Sequence, residues 1–264
     1  MSALIDAEWI AANLDDPAVR IVEVDVSRAV YDQGHIPGAL LWNAYADLRR
    51  PDYSLIGRGE LAQLLSSSGL TPETTVVFYG YGAHLGYWLM KSCGHDPVVL
   101  LDGPRDRWQG AWSVQAPSPA PSSYALAAGA SPIWTSLEQM RAGSPGQVVL
   151  DVRSRAEYDG DCFWPSGATE DAGRAGHIPG SVHLPIEELR TEDGRFRDPD
   201  EMRRVLRDHG VTPDRGVVTY CTIGNRASQA WFALTHLLDH SDASVYYGSW
   251  AEWGTRPDTE VATI

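Results

Sequence analysis

Val217-Val218-Thr219-Tyr220-Cys221-Thr222-Ile223-Gly224-Asn225-Arg226 is the stretch that decides how this chain is read. The apolar run Val217 to Tyr220 has the length and β-branched content of a buried strand. Cys221 follows it directly. A short loop with one glycine and one arginine comes next, and a helical pattern starts at about Ala227. A thiol at such a junction faces loop amides and a helix N-terminus. Those dipoles favour the thiolate, the reactive form of cysteine, and any anion bound beside it.

Working outward, the same arrangement occurs earlier in the chain. Gly69-Leu70-Thr71-Pro72 followed by Val76-Val77-Phe78-Tyr79 matches Gly210-Val211-Thr212-Pro213 followed by Val217-Val218-Thr219-Tyr220. Asp25-Val26-Ser27 with Gly34-His35-Ile36-Pro37-Gly38-Ala39 matches Asp151-Val152-Arg153 with Gly176-His177-Ile178-Pro179-Gly180-Ser181. The offset is 142 residues at the histidines and 141 at the tyrosines. So small a drift over that distance means duplication of a whole domain. Between the copies lies Gln115-Ala116-Pro117-Ser118-Pro119-Ala120-Pro121-Ser122-Ser123, whose prolines read as an exposed, extended linker. The expected organisation is a first domain over 1–114, a linker over 115–129 and a second domain over 130–264.

Both halves alternate strands and helices. The first reads as strands over 20–26, 76–79 and 98–101, with helices over 60–68 and 84–92. The second reads as strands over 148–151, 217–220 and 244–247, with helices over 200–209 and 227–239. A further short helix is announced by capping-box spacing between Thr135 and Glu138. This alternation predicts an α/β fold, each half a mostly parallel sheet with helices on both faces. Ligands of such sheets sit at the carboxyl ends of strands, where Cys221 stands.

The copies differ where chemistry would occur. Aligning Tyr79 with Tyr220 puts Gly80 opposite Cys221, and Gly80-Tyr81-Gly82-Ala83-His84 has neither thiol nor arginine. The first domain is therefore expected to be an inactive structural partner and the second the catalytic one. The second copy alone carries an insertion, from Asp161-Cys162-Phe163-Trp164 to Gly173-Arg174-Ala175, which suits the mouth of a site. His35 and His177, and Asp25 and Asp151, recur in both copies, so they read as structural. The tryptophans, among them Trp108, Trp112, Trp250 and Trp253, read as packing.

Composition narrows the function classes. With 43% apolar and 21% charged residues the chain can bury a full core. The three cysteines, Cys93, Cys162 and Cys221, have no framework spacing, which points to a reducing, cytoplasmic setting and to catalytic use of a thiol. The N-terminus shows no signal peptide and no apolar run is long enough for a membrane span. A net charge of −14 argues against nucleic acid or an anionic membrane as partner. It also means that a small anionic substrate must be held by local arginines and amides. The cysteines and histidines lack metal-ligand spacing, and no glycine fingerprint for a phosphate cofactor follows a strand, so no metal or cofactor is expected.

The two Gly-His-Ile-Pro-Gly segments, the loop Cys221 to Arg226 and Gly248-Ser249-Trp250-Ala251-Glu252-Trp253 together resemble the tandem rhodanese-like sulfurtransferases, over nearly the whole chain. The resemblance implies two rhodanese-like domains, an inactive first and an active second. It implies that Cys221 takes the outer sulfur of a small anionic donor such as thiosulfate, becomes a persulfide and passes the sulfur to cyanide or a thiol. Thr222, Ile223, Gly224, Asn225 and Arg226 would cradle that sulfur through their amides. Arg226 would bind the anionic part of the donor, with Arg174 as the second choice. Thr222 and Ile223 match neither the basic residues frequent in thiosulfate-using relatives nor the small ones frequent in mercaptopyruvate-using relatives. Arg226 and Arg174 favour thiosulfate, and 3-mercaptopyruvate is the alternative donor. Cys162 either faces Cys221, to resolve a persulfide or form a protective disulfide, or is an ordinary loop cysteine.

Two other classes compete. Cysteine phosphatases and arsenate reductases also place a thiolate and an arginine around an anion, but with Cys-x5-Arg. The spacing here is Cys-x4-Arg, a cradle sized for one sulfur atom rather than a phosphoryl group. A non-enzymatic sulfur-carrier module would hold a stable persulfide for a docking partner.

Overall fold

The computed structural model describes residues 2–126, 133–169 and 173–264. The end of the expected linker, the start of the expected second domain and the middle of the insertion fall outside those residues. The chain divides into two compact units, the first made of Met1–Pro51 and Leu55–Ser131, the second of Pro132–Ile264 with Asp52–Ser54.

The first unit runs β1 (Leu4–Ile5), α1 (Ala7–Ala12), β2 (Val19–Asp25), α2 (Ala29–Gln33), β3 (Leu40–Asn43), α3 (Arg58–Ser67), β4 (Thr75–Tyr79), α4 (Ala83–Ser92) and β5 (Val98–Leu101). The second runs β6 (Trp134–Thr135), α5 (Leu137–Ala142), β7 (Val148–Asp151), α6 (Arg155–Asp159), β8 (Val182–His183), α7 (Pro199–Asp208), β9 (Val217–Tyr220), α8 (Asn225–Phe232), β10 (Ala243–Tyr246) and α9 (Ser249–Trp253). Each forms a five-stranded sheet, in the order β1-β5-β4-β2-β3 and β6-β10-β9-β7-β8. All the strand pairs within both sheets are parallel. Two identical strand orders from one chain are what duplication of a domain produces.

Strand β9 is central, flanked by β10 and β7. Its four residues are at most 1% exposed, as a parallel strand covered on both faces requires. Each such apolar side chain contributes roughly 1.5–3 kcal/mol of burial. Thr219 is the polar exception, and its hydroxyl donates to the Ala227 carbonyl at 3.0 Å. Tyr220 packs with Val218, Tyr246, Trp250 and Phe163 in the core of the second unit. The end of β9 is therefore rigid, and so is the residue that follows it.

Several expectations shift. The cap of α5 is Ser136 with Gln139, one residue later than the predicted Thr135–Glu138 pair, because Thr135 is held in β6 opposite Tyr246. Helix α8 starts at Asn225 rather than at Ala227 and ends at Phe232, beyond which a wider π-type turn spans Ala233–Leu237. The duplicated aspartates are not equivalent: Asp151 lies opposite Tyr220, but the residue opposite Tyr79 is Glu23, not Asp25. A two-residue slip preserves the face of a strand, so the sequence match alone did not expose it.

The linker has no regular structure through Ser123, yet it is fastened to the first unit. Ser122 N–H donates to the Ser66 carbonyl at 2.9 Å, and the Tyr124 hydroxyl meets His95 Nδ1 at 2.6 Å. The repeated histidines are structural in both units. His35 bonds the Tyr31 carbonyl at 3.0 Å and stacks on that ring, and His177 does the same with Tyr158 at 2.8 Å.

Candidate active site

Cys221 is 1% exposed and follows the last residue of β9. Its backbone is pinned from the start of α9: its N–H donates to Ser249 Oγ at 3.3 Å, and its carbonyl accepts from Trp250 N at 2.9 Å. The Thr222 carbonyl accepts from Ala251 N at 2.9 Å. Ser249 is fully buried at φ +52°, a left-handed conformation unfavourable for a non-glycine residue, and its hydroxyl donates to the Tyr246 carbonyl at 2.9 Å. Such a residue persists only where its surroundings enforce it, and here it braces the cysteine. Gly224, at φ +82°, turns the chain into α8. The N–H groups of Thr222, Ile223 and Gly224 find no acceptor among the described residues. Three consecutive unsatisfied amides ahead of a helix N-terminus are suited to an anion.

Arg226 stands beside this loop with its fork occupied. Its Nη1 and Nη2 donate to Glu157 Oε2 and Oε1 at 2.8 and 2.7 Å, and Nη2 also reaches Thr222 Oγ1 at 2.7 Å. Glu157 is fully buried and additionally accepts from the Thr222 hydroxyl, from the Ser154 hydroxyl at 2.7 Å and from Ser154 N at 3.1 Å. Burial alone would raise this carboxyl. The hydrogen bonds and charge of Arg226, with the two hydroxyls, outweigh it and bring the group from 4.5 down to about 2. A carboxylate with a depressed folded pKa contributes stability above its unfolded value, and that contribution is lost as the pH falls through the folded one. Acid unfolding should therefore include a Glu157 component between about pH 4.5 and about pH 2. Thermal melts against pH should show that component in the wild type and lack it in Glu157→Gln; parallel curves would remove Glu157 from the acid response.

A second buried pair lies at the end of β7. Arg153 and Asp151 are both fully buried and share contacts of 2.6 to 3.1 Å. Arg153 Nη2 also donates to the Gly176 carbonyl at 2.7 Å, and the guanidinium lies 4.6 Å from the centre of the Trp250 ring. Burial works against the charge of Arg153, and Asp151 overrides it. The first unit builds the same brace from other residues. Glu23 pairs with Arg105 at 2.8 Å, and Arg105 donates to the Gly34 carbonyl, the counterpart of Gly176. The cation comes from after β5 there and from two residues past the carboxylate here.

Arg174, expected as the second donor-binding arginine, has protein partners for its guanidinium. Its guanidinium donates to the carbonyls of Thr259, at 2.8 Å, and Arg256, and to the Thr259 hydroxyl at 2.6 Å. Those bonds tie the insertion to the C-terminal loop, and donor binding would have to break them. The Trp250 indole N–H donates to the Arg174 carbonyl at 3.0 Å, and Phe163 of the insertion is buried in the same core. The structure thus brings Thr222 to Arg226 around Cys221 and takes the guanidinium of Arg174 into a structural network. Cys93, Cys162 and Cys221 are all free thiols, and burial is the main reason that the first two are shifted away from the thiolate. Among the described residues no group of three or more His, Cys, Asp or Glu side chains could hold a metal ion, and no helix is long and apolar enough to cross a membrane.

The equivalent loop of the first unit is closed. Gly82 N donates to the Val24 carbonyl at 2.7 Å, so an amide that could face an anion is bound to β2 instead. Gly80 has φ +94°, and a Cβ there would lie 2.9 Å from the Val24 oxygen. Gly80→Cys should therefore lower stability by about 1–3 kcal/mol and create no second sulfur-loading site. Thermal melts and intact mass in a Cys221→Ser background check both; a loaded Cys at position 80 would sink the account of a closed loop.

Two copies of one parallel α/β unit, one with a braced cysteine before unsatisfied amides, define the class. The rhodanese-like domain model matches residues 6–111 and 134–256, and the chain belongs to that family. A Haloferax volcanii protein is 36% identical over 95% of this chain and 93% of its own length. A Mycobacterium bovis protein is 38% identical over 95% of this chain and 87% of its own length. Their names are "Putative thiosulfate sulfurtransferase" and, with the suffix SseA, the same. The sulfur carrier protein TtuD of Thermus thermophilus is 34% identical over 98% and 96%. Among solved structures, the anaerobic ergothioneine biosynthesis enzyme of Chlorobium limicola, in complex with trimethyl histidine, superposes with a TM-score of 0.87 at 25% identity, covering 99% of this chain and 70% of that one. The chain is a sulfurtransferase of the rhodanese family.

Proposed function

We propose that this sulfurtransferase moves the outer sulfur of thiosulfate to cyanide or a thiol through a persulfide on Cys221. The observation that carries the reading is the loop itself: a cysteine at the end of a central strand, followed by the unsatisfied amides of Thr222, Ile223 and Gly224. The Cys221 thiolate attacks the outer sulfur, the S–S bond of thiosulfate breaks, and sulfite leaves with the bonding pair. The amides of Thr222 to Arg226 hold the new persulfide anion. Cyanide then attacks its terminal sulfur, releasing thiocyanate and restoring the thiolate. Two half-reactions on one covalent carrier give ping-pong kinetics. The names of the relatives favour thiosulfate; 3-mercaptopyruvate would load the same cysteine and leave as pyruvate.

The first rhodanese-like domain, over 1–114, is catalytically silent on this reading, and the second, over 130–264, carries the site beyond the 115–129 linker. Three free cysteines fit a reducing, cytoplasmic setting. A sulfur-carrier role is the second reading, favoured by the resemblance to the Thermus thermophilus carrier.

Loading tests both. Incubation with thiosulfate or with 3-mercaptopyruvate should add about 32 Da, one sulfur atom, to the intact protein. Loading by neither donor would overturn the proposal. Loading followed by slow release to cyanide and small thiols would favour the carrier reading over the enzyme.

A further inference from the structure

Arg226 is the one charged residue between Cys221 and Arg226, and its positive charge is not available. Glu157 takes both ends of its fork at 2.7 and 2.8 Å, with the carboxylate fully buried and the arginine side chain 12% exposed. The same carboxylate holds the Thr222 hydroxyl, which in turn accepts from Arg226 Nη2. Ser154 supplies two further donors from the start of α6. The result is a carboxylate accepting five hydrogen bonds and a loop whose net side-chain charge is zero. The neighbouring Arg153 is likewise cancelled by Asp151 at 2.6 Å. A donor approaching Cys221 therefore meets the dipoles of the loop amides and two arginines, Arg153 and Arg226, whose charges are already paired.

We propose that Glu157 is the specificity-determining residue of this site: by neutralising Arg226 and fixing Thr222 it lowers the advantage that the dianion thiosulfate would draw from a free guanidinium, and so admits donors of lower charge beside it. Glu157 touches no reacting atom on this account and acts through Arg226 as a positioning residue. The inference rests on the proposed reaction at Cys221. It adds that the ion pair suppresses thiosulfate, with two negative charges, relative to an alkanethiosulfonate, which offers the same outer sulfur with one. In both cases the thiolate takes the outer sulfur and the S–S bond breaks. The leaving group is sulfite from the first donor and an alkanesulfinate from the second, so only the charge of the incoming donor differs. Coulomb attraction to a partly buried cation is worth several-fold in affinity for each added charge.

The experiment compares steady-state kinetics with thiosulfate and with methanethiosulfonate. Glu157→Gln keeps the shape and removes the charge that cancels Arg226. The ratio of kcat/KM for thiosulfate to that for methanethiosulfonate should rise about tenfold, through a lower thiosulfate KM, and the gain should fade with added salt. A residue that merely supports the fold would depress kcat for both donors and leave the ratio alone. Arg226→Gln should move the ratio the other way, because it exposes the Glu157 charge. The double variant Glu157→Gln with Arg226→Gln buries no unpaired charge, so it also covers the case in which Glu157→Gln fails to fold. It should bring the ratio back to within about threefold of wild type. A ratio unchanged in Glu157→Gln, or a double variant no better than Arg226→Gln, would overturn the inference. Failure of the wild type to load sulfur from either donor would instead overturn the reaction itself, so the two are separable.

Discussion

Cys221→Ser should leave a folded protein that no longer gains a sulfur atom from thiosulfate or from 3-mercaptopyruvate. The oxygen nucleophile is isosteric enough to sit between the Ser249 and Trp250 contacts, which involve only the cysteine backbone. It cannot, however, form a stable adduct with the outer sulfur. Removing the nucleophile of a covalent mechanism costs about four orders of magnitude or more in turnover. The thermal midpoint should stay close to the wild-type value, since the thiol contributes only its own small burial at 1% exposure. Intact-mass spectrometry and a thiocyanate assay read the two halves of this expectation. Residual loading above a few per cent would move the persulfide to another residue, and Cys162 would then be the one to replace next.

Arg153→Leu should be the most destabilising single change in the second unit. It strands the fully buried Asp151 carboxylate, removes the hydrogen bond that holds the Gly176 carbonyl, and takes a planar cation away from the Trp250 ring. Breaking one side of a buried ion pair costs about 3–5 kcal/mol, because the remaining charge has neither solvent nor an opposite charge and keeps only neutral donors such as the backbone N–H of residue 153. Removing both sides costs much less, so Asp151→Leu with Arg153→Leu should recover a large part of the loss. Urea unfolding of wild type, both single variants and the double variant gives the coupling directly. A single-variant loss under about 1 kcal/mol would mean that the remaining neutral donors to Asp151 suffice without the Arg153 charge. Because Trp250 N also holds the Cys221 carbonyl at 2.9 Å, partial recovery of stability without recovery of sulfur loading would place this brace in the alignment of the loop.

The architecture was legible because it is written as periodic, local signals. Buried parallel strands are short β-branched runs, glycine ends a helix, and a repeated Gly-His-Ile-Pro-Gly segment marks a repeated turn. Boundaries drifted where a neighbouring element claimed a residue, as β6 claims Thr135 and leaves the cap of α5 to Ser136. Glu157 was missed although Ser154 and Glu157 have capping-box spacing. That spacing accounts for the bonds to Ser154 and gives no sign that the carboxylate also reaches across to Thr222 and Arg226. Ser249 had no local signal at all, since a serine at positive φ is disfavoured by its own sequence context and is held there by what surrounds it.

By itself the sequence determined the family, the doubling of the domain and the residue types of the two loops, with Cys221 in one copy where the other has Gly80. These are properties of chain order and residue type, and they survive translation into a string. Only the tertiary structure decided which charges remain available around that loop. A guanidinium can bind an anion only while no carboxylate holds it. Glu157 lies 69 residues from Arg226, and the carbonyls that hold Arg174 lie up to 85 residues away. Charge in a folded protein is a sum over neighbours in space, and in this fold both guanidinium groups meet protein partners that the sequence did not announce.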